Sequence, residues 1–448
     1  MKSVYGKAEN TQSGEKMMTE KECLDFMDEL KKSGIVPGLG SIKELCRRLG
    51  NPQDAFPCIH IAGTNGKGSV LAYLSTVYKT AGYRVGAFSS PAVFKSRETI
   101  RVDGKNMTKK AYTEGLEKIK EAVEAIKADG LPAPTAFEAE VALAFLYFAD
   151  KKCDIVILEA GMGGREDATN LITRTLAAVL MPIGMDHMQF LGGTLDKIAY
   201  QKAGIIKKGC VAVSAAQQEE AAAEIRKEAE KQGCSLFFAT VPEKKKYGLK
   251  KQRFNYRDAF GTLHKDMEIT IPGVCQAENA AVAIEVVEAL NRQKSFYVSD
   301  ENLRRGLLET SWPGRFEVLR EKPYFVIDGA HNEPAAKKLV QSVSAYFSNK
   351  RIIYIMGMLK DKEYEKVAEI TYPYADQIIT VTPPENKRAL SAMDLAAAVS
   401  AYHPRVTTAG SVEEAVEMAY LLASKEDVIL CFGSLSFLGR VRDILGKQ

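Results

Sequence analysis

From residue 57 onward the chain repeats one pattern: a short, almost continuously apolar run, then a stretch whose apolar residues recur at helical spacing. "CIHIAG" (58–63) reads as a strand, and "GSVLAYLSTVYKTAG" (68–82) as a helix with Val70, Leu74 and Val77 on one face and Gly82 past its end. "YRVGAFS" (83–89), "CDIVILEAG" (153–161), "AAVLMPIG" (177–184) and "CVAVSA" (210–215) repeat the strand signature. Runs this uniformly apolar belong in a sheet covered on both faces. Their alternation with helices predicts a doubly wound, mostly parallel α/β sheet.

A second series begins near residue 314. "YFVIDGA", "RIIYIMGM", "QIITVTP" and "DVILCFGS" alternate with helical patterns at 334–346, 361–371, 391–402 and 411–424, which predicts a smaller, Rossmann-like α/β domain. The join falls in "LETSWPGR" (308–315), after a helix beginning near Ser299, because Trp and Pro continue a helix poorly. The expected organisation is a flexible tail (1–18), a first domain (19–308), a linker (309–313) and a C-terminal domain (314–448). Thr19 opens "TEKE", a capping-box pattern ahead of Leu24, Met27 and Leu30. Open α/β sheets bind ligands beyond the carboxyl ends of their strands, so two such domains imply a cleft between them.

Composition narrows the function classes. With 448 residues, 46% hydrophobic and 26% charged, the chain has the make-up of a soluble globular protein. A formal net charge of +4 gives no case for nucleic acid or a membrane surface as partner. No apolar run reaches membrane-spanning length, and the leader lacks the apolar core of a signal peptide. The eight cysteines are scattered without a CxxC pair, as small buried hydrophobes would be in a reducing cytoplasm.

The chemistry concentrates in "HIAGTNGKGSV" (60–70), between the first strand and the first helix of the alternating series. Gly63, Thr64, Asn65, Gly66, Lys67, Gly68 and Ser69 form a compact phosphate-loop pattern, with Gly68 separating Lys67 from Ser69. Glycines let backbone N–H groups approach one anion, and the following helix offers its positive end. Lys67 supplies a mobile charge for outer phosphates and Ser69 a hydroxyl near a metal. A glycine-rich turn can also be purely structural; strand, loop, lysine and helix in one unit point to a nucleotide.

This loop resembles that of the folylpolyglutamate synthase/dihydrofolate synthase branch of the Mur ligase superfamily. The resemblance recurs in order through "SSPAVFKSRETIRVDG" (89–104), "TAFEAEVALAF" (135–145), "LEAGMGGREDATN" (158–170), "IGMDHMQFLGGTLDKIAYQKAGIIK" (183–207), "ENAAVAI" (278–284), "SWPGRFE" (311–317), "VIDGAHN" (326–332) and "GSLSFLG" (433–439). It implies ATP, two Mg²⁺ ions, and the ligands Ser90, Glu138 and His187. On its own residues, Glu138 is equally a helix-start acid favoured by the dipole, Ser90 a turn serine and His187 a structural histidine. The resemblance also implies that Lys202 is carbamylated; a lysine that reacts with CO₂ must first lose its proton, which burial favours. Asn279, Arg315, Asp328 and His331 are the implied nucleotide-side contacts, alternatively interdomain ion pairs. Two departures stand out: Gln201 where the family usually has Glu, and Ala92 where it commonly has His or an aromatic.

The implied reaction activates a carboxylate with ATP as an acyl phosphate, which an amine then attacks to give an amide. In this branch the carboxylate belongs to a folate or dihydropteroate and the amine to L-glutamate. A monomeric, cytoplasmic enzyme is expected. Two rivals are a peptidoglycan-type Mur ligase and a phosphate-loop ATPase switch that ligates nothing. The segment "PGLGSIKELCRRLGNPQ" (37–53) matches the folate branch, and the ordered metal and lysine motifs stand against a switch.

Overall fold

The computed structural model describes residues 18–34, 36–94 and 96–446. The expected tail, Met18 excepted, lies outside them. Thr19 caps the helix Glu20–Lys31 with a complete capping box.

The first sheet has eight strands: β1 (Cys58–Ala62), β2 (Val85–Phe88), β3 (Ile100–Val102), β4 (Lys105–Asn106), β5 (Ile155–Glu159), β6 (Thr175–Leu180), β7 (Val211–Ser214) and β8 (Leu236–Phe238), in the order β4-β3-β2-β5-β1-β6-β7-β8. Its strands run parallel except β3 and β4, which pair antiparallel at one edge. Central β1 is buried along its whole length between β5 and β6. Alternate side chains serve two cores: Ile59 and Ile61 pack with Val70, Leu74 and Val77 of the helix Lys67–Thr80, while Cys58 packs with Phe145 and Leu143 of the helix Ala136–Asp150. Both faces are covered, and the strands read as unbroken apolar runs for that reason.

A small antiparallel sheet was not legible in the hydrophobic runs: β9 (Glu243–Lys246), β10 (Gln252–Arg257) and β11 (Leu263–Ile269). In β10 Phe254 and Tyr256 point inward while Arg253 and Arg257 point out, so it alternates instead of running apolar.

The last sheet comprises β12 (Glu317–Glu321), β13 (Tyr324–Asp328), β14 (Ile352–Met356), β15 (Gln377–Val381), β16 (Val406–Ala409) and β17 (Val428–Phe432), in the order β12-β13-β17-β14-β15-β16. It is parallel apart from the β12–β13 pair. Helices Glu333–Phe347, Tyr364–Thr371, Ala392–Ser400 and Val412–Leu422 lie close to the spans expected from periodicity. Two edge strands (β12 and β16) and the helix Leu435–Gly446 are additional.

The helix Asp300–Glu309, capped by Ser299, leads into the segment that joins the first sheet to the last. It lies directly on the helix that follows the phosphate loop. A Cβ at Gly306 would sit 2.5 Å from Val77 Cα. Thr310 is fully buried and donates to Gly306 O, and Thr270 donates to the carbonyls of Leu308 and Thr310. The connection is thereby anchored before it reaches Trp312.

Gly306→Ala tests this anchoring. The contact atom is helix backbone and cannot yield, so urea unfolding should show a loss of about 2 kcal/mol. An unchanged midpoint and slope would mean the two helices are not in register as described.

Candidate active site

The site grows from the carboxyl end of β1. Three glycines there are required by space, each for a different neighbour. A Cβ on Gly63 (φ +147°) would lie 2.5 Å from Met181 Cβ, and one on Gly66 (φ +87°) 2.7 Å from Asn279 Oδ1. One on Gly68 would lie 2.9 Å from the indole nitrogen of Trp312. Gly66 is also the residue that opens the helix Lys67–Thr80, and no side chain caps that end. Its first N–H groups and the dipole are left to an anion. Thr64 ties the loop to the segment after β6, exchanging hydrogen bonds with Gly184.

Lys67 donates to the carbonyls of Gly63 (3.2 Å) and Thr64 (3.4 Å), and its ammonium lies 3.8 Å from the Glu159 carboxylate. Glu159 ends β5 and is buried. Burial raises its pKa, opposed by Lys67, Arg315 and a hydrogen bond from the Ser90 backbone. Lys202 is also buried, and its Nζ donates to Gly63 O at 2.9 Å. Burial and the Lys67 charge pull its pKa down to about 7. His187 precedes a short helix with φ +50° and sits 3.6 Å from Asp186. Burial lowers its pKa, which keeps the ring neutral and able to ligate a metal. Burial also pushes Asp186 upward, but Lys362, 3.1 Å away, and His187 outweigh it and hold the carboxylate ionised.

Residues of the last sheet close over the loop. Asn332, first residue before the helix Glu333–Phe347, exchanges amide hydrogen bonds with Asn65 at 3.2 and 3.3 Å. Asp328 at the end of β13 accepts from Phe316 N and Ala330 N; burial raises its pKa and Arg315 opposes the rise. His331 Nδ1 lies 2.8 Å from Gly329 O, so Nδ1 carries the proton, and burial pulls its pKa down to about 4. Asn279 is fixed by Gln276 at 3.1 Å.

Two cavities meet here. The larger, about 430 Å³, is lined by Asn65, Gly66, Ser69, Asn279, Arg315 and Asp328 among others, a volume in the range of small-molecule sites. The smaller, about 30 Å³ and so roomy enough for one small group, is lined by Ser90, Glu98, Arg101, Glu159 and Trp312. Gly68 and Arg315 line both.

Glu138 is the one expected site residue that the fold takes elsewhere. It is the third residue of the helix Ala136–Asp150 and completes a capping box with Thr135. One carboxylate oxygen accepts from Thr135 N (2.7 Å) and the other from Ile42 N (3.1 Å), and it lines neither cavity. Both oxygens are committed to backbone, whereas Glu159 lines the smaller cavity beside Ser90. The signal for each was present. "TAFE" is itself a capping-box pattern, and Glu159 is the lone acid closing an otherwise apolar strand. Asp186, Lys362, Arg101, Trp312 and Asn332 were likewise not singled out.

Among the described residues no three His, Cys, Asp or Glu side chains converge as a ready-made metal cage. Glu159 carboxylate and Ser90 hydroxyl beside a phosphate loop instead suit Mg²⁺, which binds through few protein oxygens and takes the rest from phosphates and water.

Comparison with known proteins agrees with this geometry. Residues 61–287 match the Mur ligase middle domain and residues 314–435 the Mur ligase glutamate ligase domain. The chain is 37% identical over 420 residues to the dihydrofolate synthase/folylpolyglutamate synthase of Bacillus subtilis, covering 92% of this chain and 95% of that protein. The structure of Mycobacterium tuberculosis folylpolyglutamate synthase complexed with ADP and AMPPCP superposes with a TM-score of 0.87 at 29% identity, over 96% of this chain and 100% of that one. That of E. coli FolC in complex with DHPP and ADP gives 0.82 at 29% identity, over 95% and 98%.

Paired variants separate the two glutamates. Glu138→Gln should lower stability by about 1–2 kcal/mol while keeping most magnesium-dependent turnover, because an amide has one oxygen for the two N–H groups of Thr135 and Ile42. Glu159→Gln should lose turnover by about a hundredfold or more whatever its melting point, since it removes the carboxylate that faces Lys67 and lines the smaller cavity. Thermal melts and ATP turnover showing the reverse pattern would return the metal to Glu138.

Proposed function

The chain belongs to the folylpolyglutamate synthase/dihydrofolate synthase family of Mur ligases, and from that premise we propose that it uses MgATP to join L-glutamate to the carboxylate of a folate, and also to dihydropteroate. One observation carries the reading: the phosphate loop stands at the junction of a nucleotide-sized cavity and a second pocket holding Ser90, Glu159, Arg101 and Arg315. A carboxylate entering the second pocket meets the outer phosphate of a nucleotide in the first.

The carboxylate oxygen attacks the γ-phosphorus and ADP leaves. The glutamate amine then attacks the acyl carbon, and phosphate departs with the original carboxylate oxygen. Positioning and charge do most of the work, and no side-chain nucleophile is needed. Lys67 turns from its carbonyl partners to the transferring phosphoryl group. Asn279, Arg315, Asp328 and His331 hold the nucleotide side. Ser90 and Glu159 would hold one Mg²⁺, and His187 with a carbamylated Lys202 a second; the ions would neutralise charge on the phosphates.

The environment of Lys202 supports the modification. At pH 7 a lysine with pKa about 7 is half neutral, whereas an ordinary lysine is neutral in about one part in a few thousand. Its neutral amine bonds to CO₂ and sheds a proton, replacing a buried cation beside Lys67 by an anion. Gln201 bears little on this: its backbone oxygen accepts from Arg165 N, and the charges acting on Lys202 are Lys67, Asp186 and Asp167.

The reading divides the chain into an ATP-binding domain (19–308), a linker (309–313) and a C-terminal domain (314–448). A cytoplasmic monomer is part of the same proposal. No described helix is long and apolar enough to cross a membrane.

ADP release from MgATP should require both L-glutamate and a pteroate or folate, and Lys67→Ala should lower it by about a hundredfold or more with the fold intact. Glutamate-independent hydrolysis would point to a switch instead of a ligase. A separate readout tests Lys202. With ¹³C-labelled CO₂ at fixed concentration, a carbamate NMR signal should rise between about pH 6 and pH 8, as the folded-state amine loses its proton, and be absent from Lys202→Arg. An unchanged spectrum in that variant would assign the carbamate elsewhere.

A further inference from the structure

Gly68 interrupts the usual spacing of lysine and hydroxyl in a phosphate loop, and its backbone does not explain why. It lies inside the helix Lys67–Thr80 and carries no positive φ, so any residue could adopt its conformation. Glycine is a poor choice inside a helix unless space demands it. Here the space is taken by the linker: a Cβ on Gly68 would stand 2.9, 3.0 and 3.1 Å from Nε1, Cζ2 and Cε2 of Trp312. On the ring's other contact, the Arg101 guanidinium carbon lies 4.8 Å from the ring centroid. Trp312 also packs against the core that contains Val70, Leu74 and Val77 of the loop helix.

The linker is short on either side of this contact. Thr310, two residues earlier, is locked to Gly306 O and Thr270. Arg315 comes three residues later, and the chain around it is tied down by Gly314 N to Glu317 and Phe316 N to Asp328. Arg315 and Gly68 are the two residues that line both cavities together. Where the indole rests therefore decides where the guanidinium stands relative to the phosphate loop.

We infer that Trp312 is a positioning residue for phosphoryl transfer: clamped between Gly68 and Arg101, its indole fixes the linker so that Arg315 stands at the junction of the two cavities. This rests on the ligase reading above for its kinetic consequence, but not for its structural one. Gly68 is then glycine because the indole sits on it.

A double-mutant cycle in the full-length protein tests the contact. Trp312→Ala should lower kcat by about tenfold to a hundredfold and raise KM for ATP as well, because Arg315, which lines the nucleotide cavity, is misplaced. Trp312→Phe, which keeps a ring on Gly68, should recover most of that loss. Gly68→Ala should be comparably damaging in the wild type, yet cost less than about twofold more in the Trp312→Ala background, where the clash is gone. A Gly68→Ala penalty equal in both backgrounds would overturn the inference, showing that the glycine is needed for phosphate approach alone; so would an unchanged kcat in Trp312→Ala.

A second readout needs no ligation. Trp312 is the only tryptophan in the chain, so emission excited at the red edge of the indole band, where the 18 tyrosines do not absorb, reports on this ring. MgADP and a non-hydrolysable MgATP analogue should shift that emission saturably, at the same concentrations at which calorimetry detects binding. Unchanged emission at saturating nucleotide would contradict the coupling. An emission shift in a protein that ligates no glutamate would leave the coupling standing and defeat only the ligase reading.

Discussion

The arrangement depends on how closely the backbone after β1 is packed. At Gly63 the chain passes so near Met181 that no side chain fits, and the carbonyl it presents accepts from both Lys67 and Lys202. That single backbone oxygen gathers two lysines beneath a loop whose N–H groups are left for an anion. The next two glycines extend the same constraint outward, Gly66 against Asn279 and Gly68 against Trp312. Each removes a side chain so that a residue from later in the sequence can reach the phosphate position. The loop is therefore the hub on which the first core, the linker and the last sheet converge, as well as the floor of a nucleotide site.

Electrostatics follow from that packing. A buried lysine, Lys202, stands near the part-buried Lys67 and Arg315, which burial alone would disfavour unless anions enter or a lysine changes state. Glu159 and Asp186 supply part of the compensation, each paired with a cation from another element. Lys202 meets the rest of the cost by loosening its proton. The amide pair of Asn65 and Asn332 and the Asp186–Lys362 pair bring the last sheet onto the loop without adding net charge. Such neutral or compensated contacts suit a cleft that must open and close around substrates.

Much of this was legible in the chain. The apolar strands β1, β5, β6, β13, β14 and β17 were visible because sheets covered on both faces leave no polar alternation to confuse them. The β9–β11 sheet was not, because β9 is a charged run, β10 alternates Arg with buried aromatics and β11 mixes charged with buried positions, and β12 and β16 lie at edges. In the site, the loop glycines and Lys202 were readable from motif and resemblance. Glu138 was misread because a capping glutamate and a metal-binding glutamate look alike until their hydrogen-bond partners are known. Glu159 reads only as the end of a strand, because its chemistry lies in what surrounds it: Lys67, Arg315 and the Ser90 backbone. Trp312 reads as a helix breaker, and only the three-dimensional contact links it to Gly68.

The central claim is that the loop spends ATP on activating a carboxylate. Isotope transfer tests it most directly. If the folate carboxylate is labelled with ¹⁸O and the reaction run with MgATP and L-glutamate, each phosphate released should carry one labelled oxygen, matched by each amide formed. Phosphate free of label, with all of its new oxygen drawn from solvent water, would show that the nucleotide is hydrolysed without ever being joined to the carboxylate.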